Sequence, residues 1–528
     1  MDERIKWWWI AGLLAIYLML SAILPAADDE VYYWCWSKDL QWSYFDHPPM
    51  TAVLIRLSTT LFGDSVFGYR VPACLASAFV VYVISRLTPA SPLILGIILS
   101  PLFTYGAVLI TPDSPLLFCW TAYVWWLIEL HRRLAPHPAE DERIQPATVA
   151  AATSQRSANT ATAPGSAAIN TTIELQWWLL GGVILGCGVL SKYTMALAVP
   201  TAFASLLLAR RPWKLWLPGY VFHGIVSFLV ALPILIYNMA QNFEPLLFQL
   251  QHSAQKSPNS WMTLGDFVGV QILLFGTLPF FLLPWAYYNF RRLSQCPRLR
   301  VCFCLYALPL TYFIYKSTQA RLEGNWGLIC FIAFWPVAGA WYATVRQSRF
   351  WRSSTAMAFL PPLLCVAFLT VHLISPISLV PVRGDRIYRQ IAINNATREV
   401  ARQVRELGEI LPVYTTSYQL TALLRFQLLD ARQIEGASRP SHFTRPPRHL
   451  TDVDCAYFID GQPLPEKFSE GFGIPELVTS VPIEFRGVVD NTLYVWRYAK
   501  VADDPKPIKP VQTRPERSAS EPTTSPAP

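Results

Sequence analysis

Apolar stretches of about twenty residues recur along this chain from its N-terminus to about Ser375. A helix of that length crosses the ~30 Å hydrocarbon core of a bilayer. Of the 528 residues, 53% are hydrophobic and 15% are charged, whereas an average soluble domain carries about 25% charged residues. The sequence therefore predicts an all-α polytopic membrane protein.

Basic clusters orient the predicted spans. They flank apolar runs at 132–133, 210–214, 291–300 and 346–352. If they are cytoplasmic, as the positive-inside rule requires, the N-terminus lies inside and about eleven spans follow. These are expected near 7–25, 66–86, 92–110, 115–131, 176–190, 194–209, 215–237, 266–289, 301–315, 326–344 and 354–376. The first span continues into acids without a small-residue cleavage site, so we interpret it as an uncleaved anchor.

Most of the unusual polar residues then share one side of the membrane. An odd number of spans from an inside start puts outside the loops 26–65, 111–114, 191–193, 238–265 and 316–325, together with everything after Ser375. Chance alone could place any one of these groups there. Their convergence indicates an extracytoplasmic active site.

The composition divides the chain into a membrane part, 1–380, and a small domain, 381–500. The segment 135–172 is rich in Ala, Thr, Ser and Pro and is predicted to be a disordered cytoplasmic loop. Residues 391–407 have a helical pattern, and β-prone runs follow at 411–414, 456–459 and 492–497. We expect a small C-terminal α/β domain on the periplasmic side and a disordered tail, 501–528.

Charge and cysteine content exclude two other classes of site. The net charge of +8 comes from Lys and Arg in short loops, with no basic stripe or nucleic-acid reader motif, so no nucleic-acid partner is predicted. Most of the ten cysteines fall within spans and no C-x-x-C pair occurs, which supports neither a zinc site nor a disulfide framework.

Three consecutive acids, Asp28, Asp29 and Glu30, stand where the first span ends. Acids favour helix N-termini, so a cap for the next helix is one reading. Three acids exceed what a cap requires, and carboxylates at a membrane surface are costly to desolvate. Asp29 and Glu30 are therefore candidate catalytic residues.

The loop 26–65, which begins just before these acids, also contains the motif Asp46-His47-Pro48-Pro49. Pro48 keeps His47 out of the α region, and an amphipathic helix is predicted through about Leu61. Asp46 could be only the cap of that helix. The functional alternative adds a carboxylate, Asp46, and an imidazole, His47, beside the first acids.

Further polar candidates stand at later span ends. Asp113 lies in a turn and could only cap a helix, whereas Lys192 stands between two apolar runs and requires an anionic partner, either a carboxylate or a lipid phosphate. Lys316, Arg321 and Glu323 follow another span; snorkelling would explain Lys316 alone. We interpret Asp113, Lys192, Lys316, Arg321 and Glu323, together with His47, as candidate substrate-binding residues.

Four short motifs resemble those of the bacterial family 39/83 membrane glycosyltransferases. They are Asp-Glu after the first span, Asp-His-Pro-Pro, Pro-Asp-Ser-Pro and Leu-Ser-Lys-Tyr. This group includes protein O-mannosyltransferase-like enzymes and aminoarabinose transferases, and the likeness covers roughly residues 1–345. The resemblance implies the GT-C fold with about 11–13 transmembrane helices. It also implies a polyprenyl-phosphate sugar donor used on the periplasmic side of the inner membrane.

The resemblance also assigns roles. Asp29 matches the family's acidic residue that acts as base or positions the acceptor, and Asp46 matches an acid followed by a lysine in aminoarabinose transferases. His47 replaces that lysine, which implies that phosphate binding shifts to Lys192 and Arg321. Asp113 and Lys192 match polar positions of the same cavity. A divalent metal is implied for some relatives, and its ligands stay unassigned.

The predicted function is transfer of a sugar from the lipid-linked donor to a lipid, glycan or protein acceptor in contact with membrane lipids. A secondary transporter or lipid flippase is the alternative from another class. That alternative predicts internal repeats and charges at the bilayer midplane. The sequence shows no repeat between its halves, and its acids lie at one face.

Overall fold

The computed structural model of the protein describes residues 3–88, 91–134, 175–254 and 259–501. Within these ranges the chain is helical to Ile374 and then forms a mixed domain around a five-stranded sheet. The predicted disordered loop 135–172 lies outside the described residues. So does the predicted tail, apart from its first residue, Val501.

Eighteen α-helices precede the C-terminal domain in the described residues. They are α1 Glu3–Ile23, α2 Asp28–Lys38, α3 Met50–Phe62, α4 Val66–Leu87, α5 Ser91–Ile98, α6 Pro101–Thr104, α7 Asp113–Arg133, α8 Leu175–Ser191, α9 Ala198–Leu208, α10 Leu217–Ala240, α11 Glu244–Ala254, α12 Ser260–Phe275, α13 Leu278–Tyr288, α14 Phe290–Leu293, α15 Pro297–Ser317, α16 Leu328–Val345, α17 Arg349–Ala358 and α18 Leu360–Ile374.

Five helical segments of the described chain are long and apolar enough to cross a bilayer: Val66–Leu87, Leu217–Ala240, Pro297–Ser317, Gly324–Val345 and Arg349–Ile374. Two further pairs, Trp8–Ile23 with Asp28–Lys38 and Ser260–Phe275 with Leu278–Tyr288, reach that length together but bend by 91° and 100°. Other apolar helices, such as α8, are shorter.

The predicted spans 92–110 and 266–289 are not continuous helices. The stretch 92–110 forms α5, α6 and a 3-10 turn, because Ser100 caps a new helix whose first residue is Pro101. The stretch 266–289 bends at Gly276, which adopts the left-handed backbone conformation with φ +81°. Local breaks of this kind are invisible to a hydropathy pattern.

The spans differ in how much of their surface the protein covers. Buried residues make up 67% of the apolar window of α4 and 72% of that of Gly324–Val345, but only 17% of that of α10. The first two are therefore central in the bundle, while α10 lies at its edge and presents most of its surface outward. The membrane core includes fully buried Trp120, Tyr306 and Trp335.

The C-terminal domain confirms the expected α/β class. Its elements are α19 Arg386–Glu406, β1 Val413–Thr415, α20 Tyr418–Phe426, β2 Ala431–Gln433, β3 Cys455–Asp460, β4 Glu476–Phe485 and β5 Val488–Ala499. The strand order is β2-β1-β3-β5-β4, with β1 parallel to β2 and β3 and an antiparallel β4–β5 hairpin. The sequence predicted α19, β1, β3 and β5 and missed α20, β2 and β4.

This domain docks on the membrane part through α20 and α2. Ala422 and Leu423 of α20 share one apolar cluster with α2, and the Phe426 ring meets the Trp34 ring edge-on at 4.9 Å between centroids. Aromatic pairs in this geometry add stabilisation beyond their buried area. The α2 helix was predicted as loop. It bends by 91° away from α1, and Asp29 in its first turn contacts Tyr418 of the docked domain.

Candidate active site

The three acids occupy the first turn of α2, immediately after the first span. The unpaired N–H groups there make this position favourable for negative charge. Glu30 also caps the helix, since its Oε2 accepts a hydrogen bond from the Ala27 amide at 3.1 Å. The capping role predicted for these acids therefore belongs to Glu30.

Glu30 has a structural environment. It is fully buried, pairs with the equally buried Arg70, and its Oε1 accepts from the Arg70 Nε at 2.8 Å and from the Ile110 amide at 3.0 Å. All of these donors come from the protein, so no face of the carboxylate is open to a substrate. Glu30 therefore fixes α2 against α4 and the 110–112 turn, and its catalytic role stays a prediction, as do those of Asp29 and Asp46.

Asp29 is open to solvent on one side and accepts a hydrogen bond at Oδ1 from the Tyr418 hydroxyl at 3.2 Å. Protein surrounds its other sides. The resulting loss of hydration, followed by the charge of Asp28, raises the pKa of Asp29 to about 6. A carboxylate with this pKa is ionised at neutral pH and is a stronger proton acceptor than an ordinary aspartate.

Asp46 is nearly buried, at 7% exposure, and both of its oxygens have partners. The Tyr32 hydroxyl donates to Oδ2 at 2.7 Å, and Arg439 Nη1 donates to Oδ1 at 2.6 Å. The Gln249 side chain also holds the Asp46 carbonyl, at 2.9 Å. Asp46 is therefore fixed by three separate parts of the chain, and it does not cap α3, whose N-cap residue is Pro49.

His47 is neutral in this site. Burial, followed by the positive charges of Lys192 and Arg439, lowers the pKa of His47 to about 3. At physiological pH the imidazole can donate or accept a hydrogen bond but supplies no cation. A role for His47 in substrate binding stays a prediction, restricted to neutral contacts.

Lys192 has a protein partner. It lies where α8 ends, and its ammonium donates to Asp113 Oδ1 at 2.7 Å. The other oxygen of Asp113 accepts from the Asn325 amide at 2.7 Å. The anionic partner that Lys192 requires is thus a carboxylate, and Asn325, from the predicted outside loop 316–325, joins this group. Asp113 and Asn325 border a cavity of about 190 Å³ with mostly apolar walls that include Val80, Phe103 and Leu117.

Lys316 lies in the last turn of α15, and Arg321 and Glu323 lie between α15 and the 3-10 turn Gly324–Gly327. Arg321 and Glu323 are exposed and Lys316 is half-buried. Within the described residues, their side chains form no hydrogen bond or ion pair with protein, and Asn325, not these three, reaches Asp113. Their predicted roles in substrate binding stay predictions.

The C-terminal domain supplies two site residues that the sequence did not predict. Tyr418 begins α20 and contacts Asp29, while Arg439, after β2, contacts Asp46 and stacks on Tyr418, with its guanidinium carbon 4.2 Å from the ring centroid. They stand some 390 residues after the acids in the chain. Neither lies in a recognisable motif, so no local signal could have found them.

The residues present do not form an evident metal site. In the described ranges, no group of three His, Cys, Asp or Glu side chains is arranged to hold an ion. The buried acids are instead satisfied by Arg70, Lys192 and Arg439. We therefore derive no step of the reaction through a divalent metal.

Comparison with known proteins adds three similarities. The family described as dolichyl-phosphate-mannose-protein mannosyltransferase matches residues 46–136 and 166–237. The lipid A galacturonosyltransferase RgtD of Rhizobium johnstonii is 24% identical over 420 residues, which cover 76% of this chain and 78% of RgtD.

Two solved structures of ArnT from Cupriavidus metallidurans have a similar fold. The structure bound to undecaprenyl phosphate matches with a TM-score of 0.59 and 14% identity, and the apo structure with 0.60 and 13%. Each alignment covers 94% of this chain and 98% of ArnT. The overall helical fold and the C-terminal sheet domain are therefore shared at low sequence identity.

Proposed function

We propose, on the premise that this chain is a membrane glycosyltransferase of the GT-C superfamily related to families 39 and 83, that it moves a sugar from a polyprenyl-phosphate donor to lipid A. The observation that carries the proposal is the pair of carboxylates, Asp29 and Asp46, gathered beneath one domain at the end of the first span. The similarity to RgtD supports lipid A as the acceptor. The ArnT structure with undecaprenyl phosphate supports the donor class.

Asp29 is the proposed base. An acceptor hydroxyl gives its proton to the Asp29 carboxylate while its oxygen attacks the anomeric carbon of the donor sugar. The bond between that carbon and the phosphate oxygen breaks, and the electron pair leaves with the polyprenyl phosphate. The raised pKa of Asp29, about 6, suits this role near neutral pH.

The leaving phosphate requires positive charge more than it requires a strong acid. The sequence assigns this role to Lys192 and Arg321, and both assignments remain proposals. Lys192 would have to serve the phosphate while it stays paired with Asp113. Arg321 is exposed and has no protein partner among the described residues, so its donors are available to a ligand.

The protein is a multi-pass inner-membrane protein, and we assign its active site to the periplasmic side. The argument is the distribution of basic loops, which the positive-inside rule puts in the cytoplasm. The acids and the C-terminal domain follow spans that end on the opposite face. Helix α3, which is amphipathic and begins directly after Asp46-His47-Pro48-Pro49, would lie in the interface and guide the lipid tail.

Mass spectrometry of lipid A tests this function. We expect lipid A from a deletion strain to lack the mass of one sugar residue, wild-type protein to restore it, and the Asp29→Asn variant to fail to restore it. The mass difference identifies the sugar class. Unchanged lipid A, accompanied by a loss of sugar from surface polysaccharide or from proteins, would show that the acceptor is wrong while the transferase chemistry is right.

A further inference from the structure

Arg439 is a partly exposed cation in the candidate site. Its guanidinium donates from Nη1 to Asp46 Oδ1 at 2.6 Å and to the Pro440 carbonyl at 3.2 Å, and it also forms a hydrogen bond with the Tyr418 side chain. Its side chain is 41% exposed, whereas that of Asp46 is 9% exposed. Within this ion pair, the carboxylate is therefore shielded from solvent, whereas the guanidinium remains accessible to solvent and to a ligand.

The surroundings hold this guanidinium in one orientation. Its guanidinium carbon lies 4.2 Å from the centroid of the Tyr418 ring, and this stacking fixes the plane of the guanidinium. Tyr418 itself contacts Asp29. The positive charge of Arg439 also reaches His47, whose pKa is lowered first by burial and then by Lys192 and Arg439. Arg439 thus lies in electrostatic range of the loop that carries Asp46 and His47.

The other cations near the acids are less available. Arg70 is fully buried against Glu30, and the Lys192 side chain is 9% exposed and paired with Asp113. Lys316 and Arg321 have free donors but form no hydrogen bond to Asp29 or Asp46. Lys316 lies in the last turn of α15, and Arg321 lies just before Asn325, which donates to Asp113. Among the residues that the structure describes, Arg439 is the exposed cation in contact with a candidate acid.

We propose that Arg439, contributed by the C-terminal domain, binds the phosphate of the lipid-linked donor and makes that domain part of the active site. The inference rests on the proposed function. A guanidinium binds phosphate through two parallel N–H donors, and Nη2 and Nε are not used in the bonds to Asp46 and Pro440. When the sugar leaves, negative charge grows on the phosphate oxygen, and the fixed fork stabilises it without rearranging.

Arg445 provides a matched control. It also comes from the C-terminal domain, forms an ion pair with Glu244 of the membrane part, and lies 5.6 Å from the Phe45 ring. If Arg439 only docks the domain, Arg439→Gln and Arg445→Gln should have the same effect. If Arg439 binds phosphate, only Arg439→Gln should weaken the binding of the lipid.

The measurement is the affinity of the purified full-length protein for undecaprenyl phosphate. We expect Arg439→Gln to raise the Kd by about 10-fold or more, Arg439→Lys to recover part of the affinity, and Arg445→Gln to stay within about 2-fold of wild type. Equal loss in the two glutamine variants, or unchanged affinity in Arg439→Gln, would overturn the inference. Loss of affinity in Arg321→Gln with retention in Arg439→Gln would overturn it in favour of Arg321.

If the Arg439 variants fold poorly, the affinity of the Asp46→Asn variant for undecaprenyl phosphate provides a second test of the inference. That substitution frees the guanidinium from a competing carboxylate, so we expect affinity for undecaprenyl phosphate to be kept or raised. A loss as large as that of Arg439→Gln would show that the pair acts as a docking unit and would overturn the inference. Wild-type protein that binds no undecaprenyl phosphate would overturn the proposed function as well.

Discussion

At the scale of single residues, Asp29 and Glu30 are neighbours with opposite environments. Glu30 faces inward to Arg70, and Asp29 faces the space beneath Tyr418. Successive residues of a helix point about 100° apart, so adjacent acids at a helix start can serve packing and chemistry separately. We therefore propose the chemical role for Asp29, the acid that stays accessible.

The pH dependence of transfer tests Asp29. A base must be ionised, so kcat/KM should rise with pH through about 6 and then level off. Asp29→Asn should lower turnover by about 10²–10⁴-fold and leave the melting temperature close to wild type. Asp28→Asn is the control: because Asp28 contributes to the raised pKa, its removal should shift the rise to lower pH while turnover persists. Near-normal turnover in Asp29→Asn would move the base to Asp46.

Lys192 and Asp113 can be tested as a pair. Lys192→Met leaves the Asp113 carboxylate nearly buried beside Asn325, and removing one partner of a buried pair costs about 3–5 kcal/mol. We expect a lower melting temperature in Lys192→Met and recovery of much of it in the Lys192→Met/Asp113→Asn double variant. A double variant that gains nothing would show that the pairing is not what stabilises Lys192.

The same variants decide whether Lys192 holds donor phosphate, as the sequence predicted. If it does, the double variant should regain its melting temperature but still bind undecaprenyl phosphate weakly, and Lys192→Arg should recover only part of the affinity. If Lys192 only balances Asp113, affinity should return with stability.

At the scale of elements, the break between α12 and α13 depends on one glycine. Gly276 adopts φ +81°, and a Cβ there would lie 2.1 Å from the Ala358 carbonyl oxygen. The next amide, that of Thr277, donates to that same oxygen at 3.1 Å. The bend is therefore fixed by contact with the end of α17, and a side chain at 276 has no room.

Gly276→Ala should lower the melting temperature of the detergent-purified protein by several degrees, because both the backbone conformation and the contact with Ala358 are lost. Gly269→Ala in the same helix is the control, since a Cβ there meets nothing within 4 Å and alanine favours helix over glycine. Equal melting temperatures for the two variants would contradict a structural role for the bend.

At the scale of the whole molecule, the C-terminal domain is joined to the bundle at a compact polar junction. His372 of α18 lies 3.1 Å from Asp385 Oδ1, and Arg486 donates to Asp385 Oδ2 at 2.9 Å. Arg486 also donates to the Val380 and Ile377 carbonyls, at 2.8 and 3.1 Å. These bonds fix the start of α19 close to the end of the last span, so the domain is positioned over the acids rather than tethered loosely.

Reporter fusions test the orientation of this assembly. A fusion after residue 150, outside the described ranges, should read cytoplasmic, and a fusion after residue 400 should read periplasmic, because the basic loops orient the spans that way. Alkaline phosphatase should therefore be active only at the second position. Alkaline phosphatase activity at the first position instead would put the acids and the C-terminal domain on the cytoplasmic side. It would contradict the assignment of the active site to the periplasm.

The sequence by itself determined the features that local patterns carry. Hydropathy located the apolar segments, periodicity located α3 and α19, and the position of Asp29 and Asp46 next to a span end marked the loop of interest. Each of these features depends on residues that are close together in the chain. The length of an apolar run and the helical period can be read from such residues without knowing the tertiary structure.

Only the tertiary structure decided what those acids contact. Glu30 is separated from Arg70 by 40 residues, Lys192 from Asp113 by 79, and Asp46 from Arg439 by 393. No local pattern encodes such pairs, because they form when helices and the C-terminal domain pack and each buried charge must find a partner. Packing therefore gave Glu30 an arginine and Lys192 a carboxylate, and it brought Tyr418 and Arg439 to the candidate site.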